Sequence, residues 1–485
     1  MSPAVWIGLI SLVLLLFLAT TRALRDPLNR IPGPFYTRFT HLPLKAAVIS
    51  GRRIQYVHAL HEKYGRFVRI APNEIAIADR EATKQIHSVN DGFDKSPWYQ
   101  DFANLPRHGI FTMCDSRSHA ARRRLLSRAF SKTQLRQYWE AVVQEKVGLA
   151  ISRIREEASN GYVDVMKWFT FMASDVSSHL MFGESFRTLE RGEVSDYIRT
   201  LQKVMVGDGI GAELPFLRWI GKRLPFKFFQ DLWGAHGFLM DYAQIAVANM
   251  KASQGSKNVF ANMMAEAEKG EKLDDIDVKC EALGLIIAGT DTTSISLTYL
   301  VWAVLSRPAL QRRLEEEVET LPENFRDADV EQLKLLNAVV EETLRLYGAA
   351  PGGLPRIVPV GGATMGGVFI PEGTTVTTQA YTSHRDASLF PDPLQYVPER
   401  WSAFTNENSY RVSDVAKTIH APFGHGSRIC LGIHLAYMEL RLATATFFRV
   451  CAGAQLSPST TPKTMEMENF FLISPVGHKC EVVLA

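Results

Sequence analysis

The loop around Cys430 has residues suited to presenting a thiolate to a metal ion. Its ten residues, Phe423–Gly432 (FGHGSRICLG), contain two glycines before Cys430 and lead into an apolar stretch, Ile433–Phe448, predicted to be helical. Free N–H groups at a helix amino terminus favour a thiolate. Gly432 lets a backbone N–H approach the sulfur, and such bonds tune metal ligands. Arg428 adds a positive charge suited to a carboxylate. The alternative is a buried structural cysteine in a glycine turn.

A second polar group interrupts a long apolar helix. No proline occurs from Asp277 to Ser306 and Pro308 follows, so the stretch predicts a helix of about 30 residues, roughly 45 Å long. Inside it, Ala288–Thr293 (AGTDTT) places a glycine, an acid and threonines among apolar residues. The glycine alone costs about 1 kcal/mol of helix stability, and threonine hydroxyls loosen the helical hydrogen bonds. The segment is therefore either a functional groove or a polar contact between helices.

Basic side chains form two stripes on another predicted helix. His119 and Arg123 are four residues apart and share one face, whereas Arg124, Arg128 and Lys132 make a second stripe about 100° away. If the first stripe points into a site, the second points outward. There it is either a solvated face or a docking surface for an acidic partner.

The elements that must position these residues are mostly helical. Two short alternating runs, Phe67–Ile70 and Glu74–Ile77, predict a β-hairpin, and the long region after them has helical periodicity. A second β-rich stretch covers Val358–Gln379, with Pro371–Gly373 as its turn. No repeat or linker divides this body. The sequence predicts a mainly α fold with a minor segregated β-sheet, forming a single domain over residues 31–485.

The amino terminus predicts a membrane anchor. Ala4–Ala19 is uncharged and apolar and would span roughly 24 Å as a helix, close to the thickness of a thin membrane. Basic residues follow it at Arg22, Arg25 and Arg30, and none precedes it. By the positive-inside rule the rest of the chain stays cytosolic, with residues 1–30 as anchor and basic flank. The alternative, a cleaved signal peptide, normally has its positive charge before the apolar core.

Composition excludes several classes of function. The 485 residues have a formal net charge of +3, too small to indicate nucleic acid as a partner. The five cysteines are odd in number, widely spaced and without a CxxC pair, which argues against a disulfide framework and against a zinc site. They indicate a reducing compartment. The cysteines are Cys114, Cys280, Cys430, Cys451 and Cys480.

The Cys430 loop resembles the haem-binding loop of the cytochrome P-450 family, F-x-x-G-x-R-x-C-x-G, at every fixed position. Upstream, Glu342 and Arg345 match the family's Glu-x-x-Arg helix, and Arg400 resembles the third member of that triad. Glu342 and Arg345 are three apart and share a helical face. The resemblance implies a cytochrome P-450 fold, preceded by a transmembrane helix, in which the triad is a buried structural lock.

The resemblance also implies a cofactor, haem b, with Cys430 as the axial ligand of its iron. His119 and Arg123 stand where the family usually has Trp-x-x-x-Arg facing a haem propionate. Arg356 resembles another propionate contact, with a surface arginine as the alternative, and His384 is a further candidate, with a solvated histidine as the alternative. The cofactor-binding residues implied in this way are His119, Arg123, Arg356, Phe423, Arg428 and Gly432.

By the same resemblance, the polar residues of the long helix activate oxygen. Thr292 would hydrogen-bond to bound oxygen, and Asp291 would take part in relaying protons from solvent. The pocket walls would come from four mostly apolar segments, so a hydrophobic small molecule fits best. The four segments are 93–113, 286–293, 349–354 and 470–472.

The implied activity is that of a monooxygenase in the endoplasmic reticulum membrane, single-pass, with a cytosolic catalytic domain. It would use O2 and NADPH-derived electrons from NADPH–cytochrome P-450 reductase, with cytochrome b5 as a further donor. The chain resembles fungal microsomal members that modify secondary metabolites such as terpenoids and polyketides. Segment 214–229 mixes aromatic and basic residues and either rests on the membrane or is a solvated helix pair.

Two other functions remain open at this point. A haem-thiolate isomerase or dehydratase would not need O2, but such members often lack the acid–alcohol pair that Asp291 and Thr292 supply. A non-catalytic haem protein would sense a gas or carry electrons. Substrate-dependent consumption of NADPH in the presence of a reductase would exclude the non-catalytic haem protein.

Overall fold

Helices make up most of the protein. The computed structural model describes residues 3–89, 92–102, 105–193, 196–233, 237, 239–241, 243–244, 258–259, 273–401 and 410–484. In chain order the α-helices are α1 Pro3–Arg25, α2 Leu42–Ile49, α3 Arg53–Tyr64, α4 Arg80–His87, α5 Trp98–Phe102, α6 Ser116–Ser127, α7 Lys132–Tyr138, α8 Glu140–Ala158, α9 Val165–Phe182, α10 Thr188–Arg191, α11 Asp196–Glu213, α12 Pro215–Gly221, α13 Lys227–Trp233, α14 Asp275–Leu305, α15 Pro308–Glu319, α16 Asp327–Val330, α17 Lys334–Tyr347, α18 Ala380–Ser383, α19 Asp414–Ile419 and α20 Ile433–Val450.

The strands are short and belong to small sheets. They are β1 Phe67–Ala71, β2 Glu74–Ile77, β3 Val163–Asp164, β4 Arg356–Ile357, β5 Ala363–Met365, β6 Val368–Ile370, β7 Thr375–Thr377, β8 Gln455–Leu456, β9 Met467–Asn469, β10 Ile473–Pro475 and β11 Glu481–Val483. The largest sheet has the order β1-β2-β7-β4, and the others are β3-β11-β8, β5-β6 and β9-β10.

The predicted mainly α fold is confirmed, and its β part is divided among several small sheets in the described residues. The first hairpin is also confirmed, because β1 and β2 pair antiparallel with Phe67 opposite Ile77. The predicted turn at Pro371–Gly373 is confirmed: the Thr374 N–H donates to the carbonyl of Pro371 at 3.4 Å, and Gly373 has a φ angle of 73°. This turn connects β6 to β7, which pairs with β2 and β4. A second turn, at Gly366 and Gly367 with φ angles of 52° and 79°, joins β5 to β6 in a hairpin.

The long helix α14 lies at the centre of the core. It begins at a capping box, in which the Asp274 side chain accepts from the Asp277 N–H, and it ends at Leu305, close to the predicted bounds. It packs against α9, α17 and α20. Gly289 permits the contact with α9, since a Cβ there would overlap the hydroxyl of Ser177. The glycine therefore allows two helices to approach closely at the level of the predicted groove.

The predicted second stripe of basic residues is divided between two helices. Helix α6 ends at Ser127 and α7 begins at Lys132, whose N-cap, Ser131, accepts from the N–H of Gln134. Lys132 pairs with Glu331. Continuous helical periodicity therefore overestimated the length of α6. Exposed Arg124 and Arg128 remain together at its carboxyl end.

Helix α1 stands apart from the core. In the described part of the chain, Val5–Arg25 is the helix that is long and apolar enough to cross a membrane, with a mean hydropathy of 2.2. Most of its described apolar side chains are exposed, and Phe17 for example is 63% exposed. The segment after it is fastened to the body, because buried Arg69 of β1 pairs with Asp26 at 2.8 Å and donates to Asn29 Oδ1 at 2.9 Å.

Candidate active site

The Cys430 loop is a tight turn that presents its thiol at the start of α20. The N–H of Cys430 donates to the carbonyl of Phe423 at 2.9 Å, which closes the loop. Gly424 and Gly426 have φ angles of 77° and 65°, and a Cβ on Gly426 would overlap the carbonyl oxygen of His87. Both glycines are therefore needed for this turn.

Two opposing influences act on the pKa of the Cys430 thiol. Burial raises the pKa of the Cys430 thiol, while a hydrogen bond from the Gly432 N–H and the charge of Arg123 lower it. Arg123 is held in place because its Nη1 donates to the carbonyl of Ile429 at 2.8 Å. The predicted approach of a backbone N–H to the sulfur is present, and a guanidinium supplements it.

A cavity of about 370 Å³ lies in front of this thiol. Eight of the predicted site residues line it: His119, Arg123, Thr292, Arg356, Phe423, Arg428, Cys430 and Gly432. Each of the four predicted wall segments contributes apolar side chains, such as Ile110, Ile287, Leu354 and Phe471. Residues 103–104 of the first segment lie outside the described residues. Asp291 is not part of the lining.

One end of the cavity is positively charged. Arg428 donates to the carbonyls of Met113 and Cys114 at 2.7 and 2.8 Å. Arg356 is 4% exposed, and its Nε has no hydrogen-bond partner among the described residues. The Asp94 carboxylate, the Tyr99 phenol and the Cys114 thiol are the acidic groups near both arginines. The cluster therefore has more positive than negative charge.

His119 joins this cluster as a neutral side chain. It is 4% exposed on α6. Burial, reinforced by nearby cations led by Arg428, lowers its pKa to about 3. A neutral imidazole can still donate one hydrogen bond from a ring nitrogen. The ring lies inside the protein and lines the cavity.

The polar turn of α14 is divided between two environments. Thr292 lines the cavity, and its hydroxyl donates to the carbonyl of Ala288 at 2.6 Å. Burial raises the pKa of Asp291 to about 6, and its carboxylate makes no hydrogen bond or ion pair with the described residues. The two residues are adjacent on the helix but only the alcohol contacts the cavity.

The predicted triad forms a buried network around one carboxylate. Arg345 donates to both oxygens of Glu342, at 2.7 and 2.8 Å, and Arg400 donates to Oε1 at 3.0 Å. The Val397 N–H and the Trp401 indole complete the shell at 2.8 and 2.9 Å. The side chains of the triad are all 0% exposed. Every arrangement that the sequence predicted for this lock is present.

His384 does not contact the cavity, so its candidacy for the cofactor is wrong. Its Nε2 accepts from the Ala421 N–H at 3.0 Å, and its Nδ1 lies 3.1 Å from the carbonyl of Arg345. Both ring nitrogens are therefore used by the backbone, which fixes the neutral tautomer with the proton on Nδ1. The solvated alternative is wrong as well, since the residue is 1% exposed.

Lys95 and Glu439 are among the ionisable residues of the cavity that the sequence did not single out. Lys95 is 8% exposed, donates to the carbonyl of Phe111 and lies over the rings of Tyr99 and Phe111. Glu439 of α20 accepts from the Thr293 hydroxyl at 3.3 Å, and burial raises its pKa to about 8. Lys95 is in an irregular loop without periodicity, so no local pattern predicted its burial.

The fold and the loop together define a haem-thiolate enzyme class, and comparison with known proteins gives the same class. The family model for cytochrome P-450 matches residues 31–482. The chain is 38% identical over 478 residues to the cytochrome P-450 monooxygenase cypX of Dothistroma septosporum, covering 96% of this chain and 92% of that protein. It is 40% identical over 480 residues to the monooxygenase tazI of Aspergillus terreus, covering 96% of each. It is 38% identical over 473 residues to the monooxygenase aflV of Aspergillus parasiticus, covering 95% of this chain and 92% of that protein.

The chain therefore belongs to the cytochrome P-450 family and is a haem-thiolate monooxygenase. Members of this family use haem iron, redox partners and hydrophobic substrates. The described residues fit the cofactor, because the cavity has a thiol on one wall, apolar sides and a cluster of cations suited to two propionates. The strongest indication of an anionic group there is the Nε of buried Arg356, which has no hydrogen-bond partner among the described residues.

Proposed function

We propose that this enzyme binds haem b through Cys430 and oxidises a hydrophobic small molecule with O2 and NADPH-derived electrons. The observation that carries the proposal is a single cavity that collects a thiol, a cation cluster and the Thr292 hydroxyl. When bound, the haem supplies oxygen activation at its iron, and thiolate ligation favours O–O cleavage. Apolar walls exclude water and favour a substrate of low polarity.

The chain's own residues hold the cofactor in this proposal. Arg123, Arg356 and Arg428 would bind the propionates, with neutral His119 as a hydrogen-bonding neighbour. The two ends of the loop position Cys430: the Phe423 carbonyl accepts from the Cys430 backbone N–H, and the Gly432 N–H donates to the sulfur. Lys95 adds a further buried donor at the same end of the cavity.

Thr292 and Asp291 would handle oxygen and protons. Thr292 has its hydroxyl at the cavity, where it can hydrogen-bond to oxygen. Asp291 is a carboxyl whose pKa of about 6 lies close to neutral pH, so it can take up and release a proton during turnover. Solvent protons would reach the cavity through this acid and the neighbouring alcohol.

Asp291→Asn is expected to lower the rate of product formation on the order of 10²-fold, because it removes a general acid.

Thr292→Val, which keeps the shape of the side chain but loses the hydroxyl, is expected to release more of the consumed NADPH electrons as hydrogen peroxide. Product, NADPH and peroxide are measured with a reductase present. Thr290→Val is the control, since the Thr290 hydroxyl makes the same kind of bond, to Ile286, without lining the cavity. Equal coupling in the two threonine variants would contradict the role of Thr292.

Electrons would come from NADPH–cytochrome P-450 reductase, with cytochrome b5 as a further donor. Exposed Arg124 and Arg128 support a docking surface at the carboxyl end of α6. Arg123 of the same helix binds the carbonyl next to Cys430. The patch is therefore close to the proposed iron ligand. Arg124→Glu should raise the reductase concentration needed for half-maximal turnover and leave the haem spectrum unchanged. An unchanged requirement would argue against this docking surface.

We also propose that residues 1–30 are a single-pass anchor in the endoplasmic reticulum membrane and that residues 31–485 form one cytosolic domain. Helix α1 has the length and polarity of a span. Segment 214–229 contains α12 and the start of α13, and its exposed aromatic side chains support a second membrane contact. These are Phe216, Trp219, Phe226 and Phe228, at 71%, 54%, 59% and 68% exposure.

Deleting residues 1–30 is expected to make the protein extractable from membranes by alkaline carbonate, because the spanning helix is lost. The truncated protein should still sediment partly with phospholipid vesicles through the aromatic segment. Phe216→Ser combined with Trp219→Ser should reduce this residual binding several-fold, whereas Val360→Ser, another exposed apolar site, should not. Carbonate-resistant binding by the truncated chain would contradict the single anchor.

The similarity to fungal monooxygenases supports a role in secondary metabolism, on a terpenoid- or polyketide-like molecule. Comparing all metabolites of a knockout strain with those of its parent tests this role. An accumulated hydrophobic compound that the purified enzyme oxidises, with NADPH consumed only in its presence, would support monooxygenation. Conversion without O2 would favour an isomerase or dehydratase, and haem binding without turnover would favour a non-catalytic protein.

A further inference from the structure

A short turn of the loop between α5 and α6 forms one wall of the cavity. Residues Gly109–Thr112 all line it. The turn closes on itself, because the N–H groups of Thr112 and Met113 both donate to the carbonyl of Gly109 at 3.0 Å. Phe111 also packs edge-on against Phe471, which lines the cavity as well, with ring centroids 5.7 Å apart. Movement of this turn would therefore change the width of the cavity.

One carboxylate joins this turn to helix α14. The N–H of Ile110 donates to both oxygens of Glu281, at 2.9 and 3.1 Å. A Cβ on Gly109 would lie 3.1 Å from Glu281 Oε2, so the backbone passes close to the carboxylate and a larger residue here would crowd it. Glu281 therefore contacts the loop at residues 109–110, and it does so through their backbone.

The same carboxylate is neutralised from a second helix. Arg122 Nη1 of α6 donates to Glu281 Oε1 at 2.6 Å, and its Nη2 lies 3.5 Å from Asp277. The Arg122 and Glu281 side chains are 8% and 2% exposed. Such a buried pair is costly to break, because the remaining partner keeps its charge away from water. Glu281 therefore links the turn to both α14 and α6.

Both helices also carry residues of the active site. Glu281 is ten residues before Asp291, roughly 15 Å along α14, and Arg122 is next to Arg123, which binds the carbonyl of Ile429. The turn is consequently fixed to the same two elements that position the oxygen site and the proposed cofactor ligands.

We propose that Glu281, neutralised by Arg122, is a positioning residue that holds the Gly109–Thr112 turn against the long helix and controls the entry of large ligands to the cavity. This inference rests on the proposed function, because it requires substrate and haem to occupy the same cavity. Small ligands can pass without moving the turn, whereas a large ligand requires it to open. The clamp therefore acts on entry and exit, and not on the chemistry at Thr292.

The test compares a large and a small iron ligand in the haem-loaded protein. The charge of the clamp is removed by Glu281→Gln, and also by the double variant Arg122→Gln with Glu281→Gln, which leaves neither member of this pair as a buried charge without its partner. Stopped-flow absorbance follows the binding of clotrimazole and of imidazole. Loss of a charge-assisted hydrogen bond predicts an increase of about tenfold in the clotrimazole association rate and little change for imidazole. Hydrogen exchange of residues 105–114 should accelerate by a similar factor.

Arg107→Gln is the matched control. Arg107 is in the same loop and pairs with Asp274 at 3.1 Å, but both side chains are about half exposed, so its loss should change neither rate. Unchanged clotrimazole binding and unchanged exchange in the double variant would overturn the clamp, as would equal acceleration of both ligands. An absent azole spectrum in the wild type would contradict the proposed haem site instead, and the exchange measurement, which needs no haem, would still report on the clamp.

Discussion

Replacing Cys430 by alanine is expected to abolish substrate oxidation and the thiolate-type carbon monoxide difference spectrum of the reduced protein. The reason is local, because the sulfur is the thiol that receives the Gly432 N–H and faces Arg123 at the entry to α20. Without a thiolate, the iron would lose the ligand that favours O–O cleavage. The spectrum is recorded on purified protein at matched haem content, and product is measured with reductase and NADPH.

Cys280 provides the control for this experiment. It is a second thiol in the lining of the same cavity, and it lies on α14 away from the glycine loop. Cys280→Ala should retain both the spectrum and turnover. A Cys430→Ala protein that keeps its thiolate spectrum, or a Cys280→Ala protein that loses it, would show that the iron ligand has been assigned to the wrong residue.

Glu342→Gln is expected to lower the free energy of unfolding by about 3–5 kcal/mol, the usual cost of removing one partner of a buried ion pair. Two guanidinium groups, those of Arg345 and Arg400, would remain fully buried against a neutral amide. An amide also cannot accept all the bonds that Glu342 receives, since one of its ends is a donor. The measurements are the denaturant midpoint and the fraction of chain recovered with haem.

The neighbouring residue offers a matched comparison. Glu341 is on the same helix, where it accepts from the Tyr437 hydroxyl at 2.9 Å and lies 3.5 Å from His420, and its side chain is 29% exposed. Glu341→Gln keeps an acceptor for Tyr437 and should cost about 1 kcal/mol. Similar losses for the two variants would mean that Glu342 is not a lock but an ordinary polar residue of α17.

Local patterns predicted the parts of the site that are continuous in sequence. Gly424, Gly426 and Gly432 set the conformation of the Cys430 loop, and all three lie within ten residues. The absence of proline and the polar turn predicted α14 to within two residues at each end. Glu342 and Arg345 were paired correctly because residues three apart share a helical face. In each case the deciding interactions join near neighbours along the chain.

Predictions failed where an element ends or a side chain is placed for tertiary reasons. Helical periodicity predicted that α6 reaches Lys132, but the helix ends at Ser127 and a new helix begins after the N-cap Ser131. His384 was a candidate for the cofactor because of its residue type. Its ring is instead taken up by two backbone groups, those of Arg345 and Ala421, which come from distant segments.

The sequence by itself indicated the class of enzyme through its resemblance to a known family, and it indicated the proposed iron ligand and helix α14 through short-range spacing. Tertiary structure alone decided which side chains surround the cavity. Lys95 became a buried donor by closing onto Phe111, and Glu281 became a clamp by meeting Arg122 and Ile110, more than 150 residues earlier in the chain. The physical reason is that burial and charge pairing depend on which distant segments pack together, and no periodicity along one segment specifies its partner.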